Sequence, residues 1–403
     1  MATILVLTPF SLHDSINAAA SNCWHMVHYL KQNGQKLTVL SPLNASTPLT
    51  AQPALQALSD KLTAAPSGVY AYSEAGINFF YTRSATGKLT QMSLTEGELL
   101  WQQCHELLTK LKPEILLVCG LCPVTQACIS TAAVAGIHTA LVLEHNHYSS
   151  YACPDIELLL TFSESSARYY AQHAELNVLP LGHNGMAVVT QSDKRARHNA
   201  VPPAQPQFVT LFQPTAEHGL ALFAKLALVC KQELPQARFL AVTYGTHLAT
   251  AWPRLHELTP KEQPHGRTFS AADFPNVFTV DAPESREEVW DNTALLLLPE
   301  LRANAWEPLT TEAVLHKIPV IGSNAGGLQE STGGACMALP LPRSLEIDPY
   351  ALPTDAEIKP WVAGLKYMLS HNVQPLLTQG QQKLLQERQQ LPLLALLQDL
   401  GQR

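Results

Sequence analysis

The chain has 403 residues, with 26 Lys and Arg against 33 Asp and Glu and a net charge of −7. Charged residues make up 15% and hydrophobic residues 46%, the reverse of the balance that keeps a chain disordered, and the length predicts two domains, each with its own core. The acidic sum excludes a general nucleic-acid binder, which needs a basic footprint.

The N-terminus has no basic n-region and its apolar run stops at Pro9, so Thr3–Leu7 reads as a first strand and not as a signal peptide. Ala18–Gln32 follows as a helix closed by Asn33-Gly34, then strands at Lys36–Leu40 and Asn78–Tyr81. Ser93–Leu111 reads as a helix with a hydroxyl cap and Glu96 and Glu98 in its first turn. From Ile115 to Leu143 no charged residue occurs, which is long enough for a membrane span. Gly120, Pro123, Thr125, Gln126, Ser130, Thr131 and His138 interrupt it, dividing it into a strand (Ile115–Cys119), a helix (Val124–Ala135) and a strand (Thr139–Leu143). Buried strand, helix, buried strand is the pattern of a parallel-sheet unit. Further strands are expected at Leu158–Thr161 and near Asn177–Leu181.

Residues 186–206 are polar and Pro-bearing and read as a linker. The second half alternates again: Phe208–Phe212, Leu220–Gln232, Arg238–Val242, Asn276–Val280, Glu287–Asn292, Ala294–Leu298, Thr310–Lys317 and Pro319–Gly322. A terminal amphipathic helix is expected over Gln381–Gln402. Alternation of this kind builds right-handed βαβ units, with ligands at the carboxyl ends of the strands. The expected fold class is therefore α/β, two Rossmann-like domains facing a cleft. The first domain spans 1–185, the linker 186–206 and the second domain 207–380. The segment 381–403 is a terminal helix with room to pack back on the first domain.

Eight cysteines without framework spacing fit a reducing cytoplasm, and Cys119-Gly120-Leu121-Cys122 reads as small residues at a strand end. His25 and His28 lie at i, i+3 with no carboxylate cluster beside them, so no metal site is expected.

The densest signal for chemistry runs from Leu295 to Glu330. A buried strand ends in Pro299-Glu300-Leu301, then come Asn304-Ala305-Trp306-Glu307-Pro308-Leu309-Thr310-Thr311-Glu312, Ile318-Pro319-Val320-Ile321-Gly322-Ser323 and Gly326-Gly327-Leu328-Gln329-Glu330. Pro308 suits a first helical position, a helix N-terminus at a strand's carboxyl end suits a phosphate, and the Gly pair permits close backbone approach.

Residues 294–335 resemble the donor-site block of GT-B retaining glycosyltransferases of family four, and Phe208–Pro214 with His218-Gly219 resembles the same family's strand, Pro and Lys-Gly element. Glu144-His145-Asn146 echoes its cleft-facing histidine, which His147 also flanks. The resemblance implies a nucleotide-sugar donor, bound as substrate mainly by the second domain without cofactor or metal, and a glycan, lipid or protein acceptor on the first. By position Glu312 holds the ribose hydroxyls and His218 lies on the diphosphate. Asn304, Trp306 and the backbone near Leu309 face the transferred sugar. Glu307, Thr310, Gly326 and Gly327 complete the donor site, and His145 meets the reacting sugar.

The chain departs from the family pattern at several positions. The first acidic residue of the motif is Asn304, or Glu307 with a loop three residues shorter, and Glu307 stands where the family has glycine. His218 replaces the diphosphate lysine, and an imidazole is cationic only near or below its usual pKa of ~6.5. Ser15-Ile16-Asn17-Ala18 replaces a glycine loop. Two other readings stay open: a homologue that binds a partner protein or glycan without turnover, and a nucleotide-sugar epimerase on the same scaffold. Cytoplasmic location without a transmembrane segment leaves peripheral membrane contact open.

Overall fold

The computed structural model describes residues 2–84, 92–146, 148, 155–182, 207–283, 286–387 and 392–402. The linker expected at 186–206 and His147 lie outside these residues. The chain divides into two compact units: one of residues 1–187, 304–308 and 385–403, the other of 188–303 and 309–384.

The first unit holds β1 (Thr3–Leu7), β2 (Lys36–Pro42), β3 (Val69–Glu74), β4 (Ile77–Thr82), β5 (Ile115–Cys119), β6 (His138–Leu143), β7 (Leu158–Thr161) and β8 (Leu179–Pro180). They form one eight-stranded sheet in the order β3-β4-β2-β1-β5-β6-β7-β8. All pairs are parallel except β3 with β4. Strand β3 was not expected from the sequence; a two-residue turn at Ala75-Gly76, both with positive φ, folds it back on β4 as a tight hairpin. Strand β5 is buried along its whole length, because helices cover both faces of a parallel sheet. The uncharged run 115–143 thus forms β5, the helix Pro123–Val134 and β6. Among the described residues no helix is long and apolar enough to cross a membrane.

The second unit holds β9 (Phe208–Phe212), β10 (Arg238–Thr243), a short hairpin of β11 (Glu257–Leu258) and β12 (Pro264–His265), β13 (Val277–Asp281), β14 (Thr293–Leu298), β15 (Val320–Ser323) and β16 (Cys336–Leu339). Its six-stranded sheet has the order β13-β10-β9-β14-β15-β16 and is parallel throughout. In both sheets the first strand of the unit lies between the second and a later one, so the order reverses there. That is the doubly wound arrangement, and the reversal is where ligands bind.

The C-terminal stretch differs from the single helix expected. Helices run over Gln374–Glu387 and Leu393–Leu400, and Pro392 before the second has no N–H for a helix interior. The helix Asp355–Ser370 was also not expected. A capping box starts it, Thr354 Oγ1 accepting from the Glu357 amide and Glu357 Oε2 from the Thr354 amide. Ile358, Trp361, Val362, Leu365 and Met368 form its buried stripe, at the 3–4 spacing of one helix face, while Pro360 points to solvent. Trp361 is 1% exposed, and its indole N–H donates to the Pro340 carbonyl at 3.2 Å. Trp361→Ala should therefore destabilise this unit by about 3–5 kcal/mol, measured by urea unfolding; a loss below about 1 kcal/mol would contradict its place in the core.

Candidate functional site

The carboxyl end of the second sheet is built by the loops after β9, β14 and β15. Gln213 follows β9 directly and takes a left-handed φ of +48°, a conformation uncommon for a non-glycine residue. The loop then turns through Thr215 to Gly219, whose φ is +75° and whose missing Cβ would stand 2.5 Å from the Pro299 carbonyl. Only glycine lets the loops after β9 and β14 come this close. The Leu301 amide donates to the Glu217 carbonyl at 3.0 Å, stitching them together.

This places His218 beside Glu300. Thr215 Oγ1 and His218 Nδ1 share a hydrogen bond of 2.6 Å, and His218 Nε2 lies 4.0 Å from Glu300 Oε2. Burial lowers the His218 pKa to about 4, against a smaller pull from Glu217, well below the ordinary value expected from the sequence. The imidazole is neutral from about pH 5 upward. Glu300 is pushed the other way, up to about 8, by burial and then by repulsion from Glu217. Arg302, the cation of this corner, lies 3.0 Å from Glu217 Oε1.

Glu312 lies on the helix Pro308–Leu315 and is 7% exposed. Arg286, at the start of the helix Arg286–Asn292, donates to its Oε2 at 3.0 Å. Tyr244 follows β10 nearby, and burial raises its phenol to about 12, with Arg286 lowering and Glu312 raising it. Asp281 at the end of β13 holds that loop by accepting from the Gly245 amide at 2.9 Å and from the Thr243 hydroxyl at 2.8 Å. Leu309 is half-buried. Thr310 is fully buried and its hydroxyl is joined to Ser331 Oγ at 2.7 Å. Gly326 and Gly327 form the turn after β15, with Gly327 opening the helix Leu328–Ser331. Arg286, Tyr244 and Glu300 were not singled out from the sequence as site residues. Only the burial of Glu300 directly after an apolar strand offered a signal.

Asn304, Trp306 and Glu307 group with the first unit, where His145 also lies. Asn304 pairs with His145 as an isolated antiparallel bridge, and the Ala305 amide donates to the Glu144 carbonyl at 2.9 Å. Asn22 Nδ2 donates to the Trp306 carbonyl at 3.2 Å, and Asn304 Nδ2 to Glu307 Oε1 at 2.6 Å. The His145 ring stacks on Tyr148 with centroids 4.4 Å apart, and its Nε2 lies 3.8 Å from Glu144 Oε1. The Tyr148 hydroxyl donates to Glu144 Oε2 at 2.5 Å. Gly120, at the end of β5, has a φ of +97° and leaves room for the Glu144 carboxyl, 3.0 Å from where a Cβ would stand. Burial raises the Glu144 pKa to about 7, with the Tyr148 hydrogen bond opposing.

A folded-state pKa of about 7 against an ordinary 4.5 means that folded protein keeps a proton the unfolded chain releases. Stability should therefore fall as pH rises from about 4.5 to about 7, then level off. Glu144→Gln removes this loss, so its stability advantage over wild type should grow from near zero at low pH to on the order of 3 kcal/mol above neutrality. Denaturant unfolding of both proteins at acid and alkaline pH tests it; a gap that does not widen would contradict the buried charge.

No family model matches the sequence, and no curated protein matches it. Solved structures do. A glycosyltransferase from Rickettsia africae ESF-5 is similar with a TM-score of 0.61 and 11% identity, covering 100% of this chain and 98% of that one. The alpha,alpha-trehalose 6-phosphate synthase from Burkholderia multivorans reaches a TM-score of 0.61 at 10% identity, covering 99% and 96%. Anabaena HepE in complex with UDP-glucose reaches 0.54 at 13% identity, covering 97% and 98%. At such identities the likeness is one of fold, and it extends over both parallel-sheet units. The chain has the fold of the GT-B glycosyltransferases.

Proposed function

We propose that the protein is a glycosyltransferase that moves a sugar from a nucleotide-sugar donor to a glycan, lipid or protein acceptor, with retention. The observation that carries this reading is Glu312, a buried carboxylate fixed by Arg286 at the reversal end of the second sheet. Its Oε1 accepts no hydrogen bond among the described residues, so one oxygen remains for a ligand hydroxyl, as the position implied by the family resemblance requires. The UDP-glucose bound by HepE is a donor of the class proposed. The diphosphate leaving group gains charge as the glycosidic bond breaks, and donors aimed at that charge supply most of the stabilisation. Here those donors are the neutral His218 and the backbone turn at Gly326-Gly327. Arg286 holds Glu312 in one rotamer, and His145, stacked on Tyr148, meets the reacting sugar. No metal or cofactor is invoked.

A second reading, a homologue that binds without turnover, is favoured by one observation. At the position where the family resemblance implies a lysine stands a neutral His218, beside a buried Glu300, and Arg302, the cation of the corner, is paired with Glu217. Titration of UDP, GDP and ADP into wild type and Glu312→Ala separates the two. Loss of the ribose contact should weaken binding by about 10–100-fold, the equivalent of ~1.5–3 kcal/mol for hydrogen bonds to a charged group. Equal affinity in a folded Glu312→Ala protein would remove Glu312 from the site, and turnover of nucleotide sugars by wild type would exclude the second reading.

The His218 substitution tests the same corner. His218→Lys restores a permanent charge and should tighten nucleoside diphosphate binding by about tenfold at pH 7, with a steeper salt dependence than wild type. Unchanged affinity at low and high salt would show that the diphosphate does not reach His218.

A further inference from the structure

Glu300 follows β14 directly and is 9% exposed, yet its carboxyl group accepts no hydrogen bond among the described residues. The groups that face it are Glu217 and His218 from the loop after β9, while Arg302 of its own loop, the cation of this corner, is paired with Glu217 at 3.0 Å. Strand β15 contributes Ser323, whose hydroxyl donates to the Glu300 carbonyl at 2.7 Å. An ionised carboxylate here is poorly hydrated and repelled by a second carboxylate, so the neutral acid is the favoured form. As an acid the group changes role, from acceptor only to O–H donor.

We propose that Glu300 meets the diphosphate of the nucleotide donor as a carboxylic acid, its O–H donating to a phosphate oxygen, so that donor binding depends on the proton held by Glu300. The inference rests on the nucleotide-donor reading above and specifies how that site tolerates an anion without a fixed cation. His218 serves beside it as a second neutral donor. The loops after β9 and β14 are stitched at Leu301 and Glu217, so both donors are held on one rigid corner. Burial and Glu217 keep the acid form at neutral pH. Ionised Glu300 would place a negative charge against the phosphate and expel it.

The test is calorimetric titration of UDP, GDP and ADP into the full chain from about pH 6 to about pH 9.5, a range bracketing the raised carboxyl and clear of an ordinary one. Wild-type affinity should fall about tenfold per pH unit once Glu300 ionises. Glu300→Gln keeps a neutral donor and should bind with a flat profile over the same alkaline range. Glu217→Gln changes a half-exposed side chain and should move the wild-type fall to lower pH, because the repulsion that holds the proton is gone. This second variant keeps the test independent of how well Glu300→Gln folds. Measurable binding with parallel profiles in wild type and Glu300→Gln, or an unmoved fall in Glu217→Gln, would overturn the role of Glu300 alone. Absence of binding by all three nucleotides in every protein would overturn the donor reading and this inference with it.

Discussion

Parallel strands end on the same side of a sheet, and this one constraint decides where chemistry can sit in either unit. Apart from β3, every strand of the two main sheets runs in one direction. The loops that follow the strands therefore gather along one edge. Where the order reverses, neighbouring loops leave in opposite directions and open a crevice between them. Each unit places a glycine there, Gly120 after β5 and Gly219 after β9. Each brings a buried carboxyl to the same edge, Glu144 in the first unit and Glu300 in the second.

Both carboxyls are held above the usual carboxylate range, mainly by burial. Glu312 instead makes an ion pair with Arg286 at 3.0 Å. The second unit thus holds its two acids in different environments: Glu312 is ion-paired with Arg286, and Glu300 is buried beside a neutral imidazole. Environment, not residue type, separates the two. A corner of neutral donors also behaves differently from one with a lysine. In the donor reading proposed above, its attraction for a phosphate is short-ranged and directional, so it depends on fit more than on ionic strength.

The alternation of strands and helices was legible because buried parallel strands are short apolar runs bounded by Gly, Pro and Asn. Strand β1, the helix Ala18–Gln32 and strands β5, β7 and β9 have the boundaries read from the sequence. Strand β3 was not legible: Val-Tyr-Ala-Tyr-Ser-Glu is half exposed at a sheet edge and lacks an apolar run. The helix Asp355–Ser370 was hidden by Pro360, a residue that marks a break unless, as here, it lies on the solvent face. The site was legible only where a linear motif carried it. Glu300 and Glu217 are 83 positions apart in sequence, and Arg286 and Glu312 are 26 apart. Burial that raises a carboxyl pKa is a property of the packed loops and leaves no local trace.

The motif itself does not map onto one place. Residues 294–335 read as a continuous donor block, but the chain leaves the second unit at Asn304 and returns at Leu309. Within 304–308 the polar groups satisfy one another and the first unit: Asn304 donates to Glu307, and Trp306 accepts from Asn22. The segment is thereby held by the Trp306 backbone carbonyl and the Glu307 carboxylate. What remains at the edge of the second sheet comes from Leu309 onward and from residues outside the motif, namely His218, Tyr244 and Arg286, together with Glu300. A carboxyl group and a neutral imidazole there demand a ligand that arrives with matching hydrogen-bond acceptors. In the donor reading, selectivity turns on the protonation and placement of these groups more than on the residues that reveal the fold.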